Sequence, residues 1–165
     1  MIFLNEEEIT KAISNGIKIA VQHTVDTIKD ENEEAILSEV YDKYSPSWYS
    51  RTYDFVDAWD TKVTGGSKSV EGEMFYESSF IGLGSQETGE HVSVVDGSSQ
   101  AQNMPELLYQ SAQGCIDRPT HRDAWKVLDI KLTNRHMRSI IEAGLSKSGL
   151  PWKRSRGAIT VTKTK

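Results

Sequence analysis

YDFVDAWDTKVTGGSKSVEGEMFY, residues 53–76, decides the fold class, because the hydrophobic period changes inside it. Val70-Glu71-Gly72-Glu73-Met74-Phe75-Tyr76 alternates with a period of two, the spacing that sends successive side chains to opposite faces of a strand. Gly65-Gly66-Ser67 reads as a turn. Phe55, Asp57, Trp59 and Val63 hint at the first strand of the pair, so the natural reading is a β-hairpin.

Helical texture lies on both sides. Upstream, Asn5 followed three residues later by Glu8 has the form of an N-cap with its capping-box partner, and Glu6-Glu7-Glu8 suits the positive end of a helix dipole. Ile9, Ile13, Ile17, Ala20, Thr24 and Ile28 recur at spacings of three and four and predict a helix to Lys29; Gly16 weakens it without stopping it. The polar triplet Asp30-Glu31-Asn32 is expected to break the chain before a second helix, Glu33 to Tyr44, which Pro46 ends. Downstream, His91 to Val95 reads as a third short strand. Residues 84–103 read as a polar, glycine-rich surface excursion, and Pro105 opens a short helix that Gly114 can end. From Asp123 to Leu145 one long amphipathic helix is expected, carried by Ala124, Trp125, Leu128, Leu132, Met137, Ile140 and Ile141. Ala158 to Thr162 has the pattern of a strand or of an arm that orders against a partner.

The fold class that follows is α+β: long N-terminal helices, a small antiparallel β-sheet, a C-terminal amphipathic helix and an extended basic C-terminal arm. One domain is expected over residues 1–150, with the arm at 151–165. A chain of 165 residues, 37% hydrophobic and 26% charged, suits one modest core and is too apolar for disorder and too polar for a membrane protein. Met1-Ile2-Phe3-Leu4 runs straight into Glu6-Glu7-Glu8 without the form of a signal segment, so the cytoplasm is the expected compartment and no membrane is implicated. Cys115 is the single cysteine, which rules out an intramolecular disulfide and a thiolate zinc cluster.

The net charge of −5 conceals a division along the chain. Residues 1–60 carry 13 acidic and 5 basic side chains, residues 61–110 carry 7 and 2, and residues 111–165 carry 4 and 12. Such polarity fits a basic segment that meets nucleic acid, or two surfaces that attract each other between copies. Neutralisation within one monomer accounts for it equally well.

Residues that carry chemistry are sparse. His23, His91, His121 and His136 are dispersed, with no spacing suited to a zinc site. Asp117, His121 and Asp123, in Asp117-Arg118-Pro119-Thr120-His121-Arg122-Asp123, make the best acid/base candidate, yet a turn closed by ion pairs with Asp123 at a helix start explains the same residues. Cys115 with His121 as base is the one candidate nucleophile, against a buried inert thiol. The glycines form neither a phosphate loop nor a dinucleotide turn, and no cofactor is implied. Trp48, Tyr49, Tyr53, Phe55 and Trp59 offer stacking surface, but in an acidic part of the chain that repels phosphate, which favours core or subunit contacts.

Val40-Tyr41-Asp42-Lys43-Tyr44-Ser45-Pro46-Ser47-Trp48-Tyr49-Ser50-Arg51-Thr52-Tyr53-Asp54-Phe55 resembles a signature of tail-completion (head-tail connector, neck) proteins of long-tailed bacteriophages of Gram-positive hosts. There a long N-terminal helix leads through a Tyr-x-Pro-x-x-Tyr-x-Arg-Thr segment into a sheet. Asp117-Arg118-Pro119, Trp125, Leu128, Arg135-His136, Gly144-Leu145 and Gly149-Leu150 resemble that family's Arg-Pro turn and closing helix. The pieces span about a quarter of the chain. The glycine-rich excursion and the basic tail depart from the pattern.

The resemblance implies a non-enzymatic virion structural protein, made in the host cytoplasm, that forms a homo-oligomeric ring at the head-tail junction with other phage neck or tail proteins as partners. The expected subunit interface joins the aromatic corner, Tyr44, Trp48, Tyr49, Arg51 and Tyr53, to the basic tail, Trp152, Lys153, Arg154 and Arg156. Alternatively, the tail from Lys153 to Lys165 serves a nucleic-acid-binding accessory protein.

Overall fold

The computed structural model describes residues 5–43, 53–80, 105–106, 123–155 and 158–161. The architecture is α+β. In order come α1 (Glu6–Ile36), a π-helical turn (Leu37–Tyr41), α2 (Asp54–Asp57), β1 (Trp59–Gly65), β2 (Val70–Tyr76), a 3-10 turn (Ser78–Phe80), α3 (Ala124–Lys131), α4 (Asn134–Lys147), β3 (Trp152–Ser155) and β4 (Ala158–Val161). The chain divides into two compact units, the first of Met1–Ile28, Thr61–Met74 and Leu132–Lys165, the second of Lys29–Asp60 and Phe75–Lys131.

Helix α1 starts where its cap requires. Asn5 Oδ1 accepts a hydrogen bond from Glu8 N at 2.9 Å, and the three glutamates occupy the first turn. The expected break at Asp30-Glu31-Asn32 does not occur, and α1 runs unbroken for 31 residues, about 46 Å at 1.5 Å per residue. None of the three is a breaker by backbone geometry. Lys29 and Glu33 pair at 3.2 Å one turn apart across the site, and Asn32 is fully buried.

In the first unit, glycines set how closely elements approach. A Cβ on Gly16 would lie 2.4 Å from Leu150 Cγ, so α1 accepts the Leu150 side chain at a notch. One on Gly144 would lie 2.5 Å from the Ala20 carbonyl oxygen, so α4 meets the backbone of α1. Gly72 of β2 faces Val21 and Val25 in the same way. Polar ties complete the packing of the β1–β2 hairpin on α1. Thr61 Oγ1 donates to Asp26 Oδ1 at 2.7 Å and accepts from Gln22 Nε2 at 3.1 Å, and Ser14 Oγ donates to the Gly66 carbonyl at 3.1 Å. The expected turn is present: Gly65 has φ +123°, and Gly66 N donates to the Ser69 carbonyl at 2.9 Å.

The hairpin begins later than its apolar pattern suggests. Phe55 and Asp57 lie in the short helix α2, and β1 starts at Trp59. Here burial overrides period: Phe55, Val56, Ala58 and Trp59 are all buried, a grouping a half-exposed strand does not give. They belong to the second unit, whose core also holds Ala35, Ile36 and Ala124. Its aromatic rings interlock, with centroids 6.1 Å apart for Phe55–Trp59, 5.5 Å for Trp59–Tyr76 and 5.5 Å for Trp59–Trp125. Burial pushes the Tyr76 phenol up to about 12.

The single helix expected over Asp123 to Leu145 is two helices. Lys131 ends α3, and Thr133, extended at φ −60° and ψ 157°, caps α4 by accepting from His136 N at 3.4 Å. A threonine that can bond the following turn offers the backbone an alternative to continued helix. Asp123 acts as expected, its Oδ1 accepting from Lys126 N at 2.9 Å at the start of α3. After Gly149, at φ +69°, residues 152–155 and 158–161 of the expected arm are strands, β3 and β4 pairing antiparallel with Trp152 opposite Val161 and Ser155 opposite Ala158. The expected strand at His91 to Val95 and the excursion at 84–103 lie outside the described residues; of the helix expected from Pro105, Pro105 and Glu106 are helical.

Candidate functional site

Among the aromatic-corner candidates, Tyr53 is described; Tyr44, Trp48, Tyr49 and Arg51 lie outside the described residues, as do Cys115, Asp117 and His121. Tyr53 holds an unusual backbone. At φ 61° and ψ 6° it is left-handed, a conformation that costs a non-glycine residue about 1–3 kcal/mol and persists where surroundings enforce it. The enforcement is visible on both sides of the residue. Its carbonyl accepts from Val56 N at 2.8 Å, and its ring stacks on Tyr41 with centroids 4.6 Å apart and planes 22° apart. Tyr53 is nonetheless 46% exposed, so the corner presents an aromatic face to solvent.

Tyr41, its stacking partner, closes the π-helical turn Leu37–Tyr41, in which Asp42 N donates to the Leu37 carbonyl at 2.8 Å. The wider turn shifts the register of the helix end. Lys43 and Glu39 then pair one turn apart on its surface. Of the expected corner, only Tyr53 falls among the described residues, where its neighbour in the stack is Tyr41.

The basic-tail candidates sit on β3, apart from Arg156, which lies outside the described residues. Trp152 is partly buried, and Lys153 is exposed. Arg154 grips a carboxylate that composition did not single out: Nε lies 2.8 Å from Glu142 Oε1 and Nη2 lies 2.6 Å from Oε2. This fork holds β3 against α4. Two other basic residues of the C-terminal third also find partners. Lys131 pairs with Glu34 at 2.6 Å and Glu31 at 3.1 Å, and the hydrogen bond to Glu34 holds its ammonium above the ordinary lysine range. Lys147 Nζ lies 3.3 Å from His23 Nδ1. Part of the charge division is therefore resolved inside one chain.

Asn32 was not legible as special. Its side chain is fully buried, and among the described residues neither Nδ2 nor Oδ1 has a hydrogen-bond partner; Trp59 Nε1 is likewise buried with no partner among them. Both belong to the second unit. Among the described residues no three His, Cys, Asp or Glu side chains are placed to hold a metal ion, and no helix is long and apolar enough to cross a membrane. A shallow groove of about 140 Å³ lies beside the hairpin turn, lined by Thr10, Ile13, Ser14 and Ile17 of α1 and by Gly66 to Val70.

A family model, YomN, matches residues 5–147, from the cap of α1 to the last residue of α4. The chain belongs to the YomN family. YomN is a phage-derived family, represented in Bacillus phage SPBc2, so the phage origin implied by the Tyr-x-Pro segment is the correct class. The match takes in Tyr53 and Glu142 but stops short of Trp152, Lys153 and Arg154, leaving the β3–β4 hairpin outside the YomN region. No curated protein and no solved structure matches the chain.

Proposed function

We propose that this protein is a non-enzymatic virion structural protein, a tail-completion or neck component that forms a homo-oligomeric ring at the head-tail junction. The observation that carries the reading is membership of a phage-derived family over residues 5–147. The likeness of residues 40–55 to the helix-to-sheet junction of tail-completion proteins supports the neck as its place. Tyr53 supports it locally, because an exposed aromatic held in a strained backbone is preorganised contact area.

Each copy offers an acidic N-terminal region and a basic C-terminal segment, different patches that join head to tail and close when the rotation per copy divides a full turn. Lys131 and Arg154 already hold carboxylates of their own chain, so the charge left for a neighbour comes from groups such as Lys153. The same fact weighs against the nucleic-acid reading, since a guanidinium committed to Glu142 is one cation fewer for phosphate.

The test is the mass of the purified full chain at low salt and at about 1 M salt, where the screening length falls to about 3 Å. A ring gives a multiple of the 18.5 kDa chain at low salt that dissociates as salt rises. A monomer under all conditions rejects the reading, and a complex indifferent to salt rejects its electrostatic part.

A further inference from the structure

Each sheet has two strands, so among the described residues every strand has one edge bonded and one edge open. An open edge is a row of backbone donors and acceptors ready to pair with another strand. A two-stranded hairpin is marginal in water unless something packs against it.

The two hairpins differ in charge. In β2, Gly72 turns to α1, which sends Glu71 and Glu73 to the opposite face, where both are exposed. Lys62, one strand inward on β1, leaves that face net acidic. In β3, Lys153 is exposed on the face opposite Arg154. Among the described residues no ion pair or hydrogen bond engages the side chain of Glu71, Glu73 or Lys153.

The basic strand is also held in place. Leu150, just before it, fills the notch at Gly16, and Arg154 within it is forked onto Glu142. A strand fixed at two points loses little freedom when another strand adds to it.

We infer that copies of this chain join by strand addition, the open edge of β2 in one copy pairing with the open edge of β3 in the next, with Glu71 and Glu73 meeting Lys153. The occupant is a second copy because the chain carries both complementary edges. The edges are different surfaces, so the contact is head to tail. The inference rests on the ring reading and names the joint within it. It also gives the hairpin beyond the YomN match a role, as the basic half of the joint.

The experiment compares the intact chain with Glu71→Lys/Glu73→Lys, with Lys153→Glu, and with all three changes combined, by native mass measurement at low salt. Circular dichroism checks that each variant is folded. Either reversal alone is expected to reduce the assembled fraction about tenfold or more, through like charges brought together, and the combined variant to restore it. Hydrogen exchange should show residues 70–76 and 152–155 slowing on assembly in the unaltered chain. Full assembly of both single reversals, or no slowing at these strands, overturns strand addition and leaves the ring standing. A chain that is monomeric before any substitution overturns both.

Discussion

Arg154 and Glu142, twelve residues apart, close a two-pronged guanidinium–carboxylate contact that ties β3 to α4. The Arg154 side chain is 61% exposed, and exposed pairs contribute about 0–1 kcal/mol, so the contact governs the hairpin more than the whole fold. Glu142→Gln is therefore expected to leave the unfolding midpoint nearly unchanged while amide exchange at Trp152 to Ser155 quickens. Equal exchange in both proteins would show that the fork does not hold the strand.

Gly144 predicts a sign. Helix propensity alone favours alanine over glycine by about 1 kcal/mol. A Cβ there would press on the Ala20 carbonyl oxygen, which cannot rotate away, so Gly144→Ala should destabilise by about 1–3 kcal/mol in urea unfolding. Gly16→Ala meets only the Leu150 side chain and should lose less, with Leu150→Ala recovering part of the loss. A more stable Gly144→Ala protein would contradict the close crossing of α1 and α4.

Asn32 should be improvable. A buried carboxamide without partners costs about 1–3 kcal/mol, and leucine has the same branched outline without polar atoms. Asn32→Leu is expected to raise the melting temperature. A fall of several degrees would mean that the amide is satisfied in solution, for example by internal water.

Tyr76 gives a pH dependence at the alkaline end. Its folded phenol titrates near 12 against 10.0 for the free group, so the folded chain binds more protons between those values. The stability it contributes is complete below pH 10 and is lost as pH rises towards 12. Tyrosinate absorbance should show a late-ionising step, and Tyr76→Phe should remove it.

What could be read from the residues depended on whether the signal was local. The Asn5 cap, the Gly65-Gly66 turn and the Asp123 cap are decided within three or four residues, and all three stand where the pattern puts them. The continuity of α1 through Asp30-Glu31-Asn32 is a tertiary result. Polar composition suggested a break, but burial of Asn32 and the Lys29–Glu33 pair hold the helix. The division at Thr133 was masked by apolar residues that suit one long helix or two short ones; the side chain that caps His136 N is its only local sign. Of the proposed interface, charge revealed Lys153 and Arg154, whereas the claim of Glu142 on Arg154 comes from residues meeting in space.

Three of the four boundaries between the units, after Ile28 in α1, after Asp60 in β1 and after Met74 in β2, fall inside hydrogen-bonded elements, and the fourth follows Lys131 at the end of α3. No single cut in the gene releases either half as a continuous fragment, because one is stitched from three stretches and the other from two. Truncation after Asp60 or after Met74, from either end, removes residues from both units at once, so the chain should melt in one calorimetric transition.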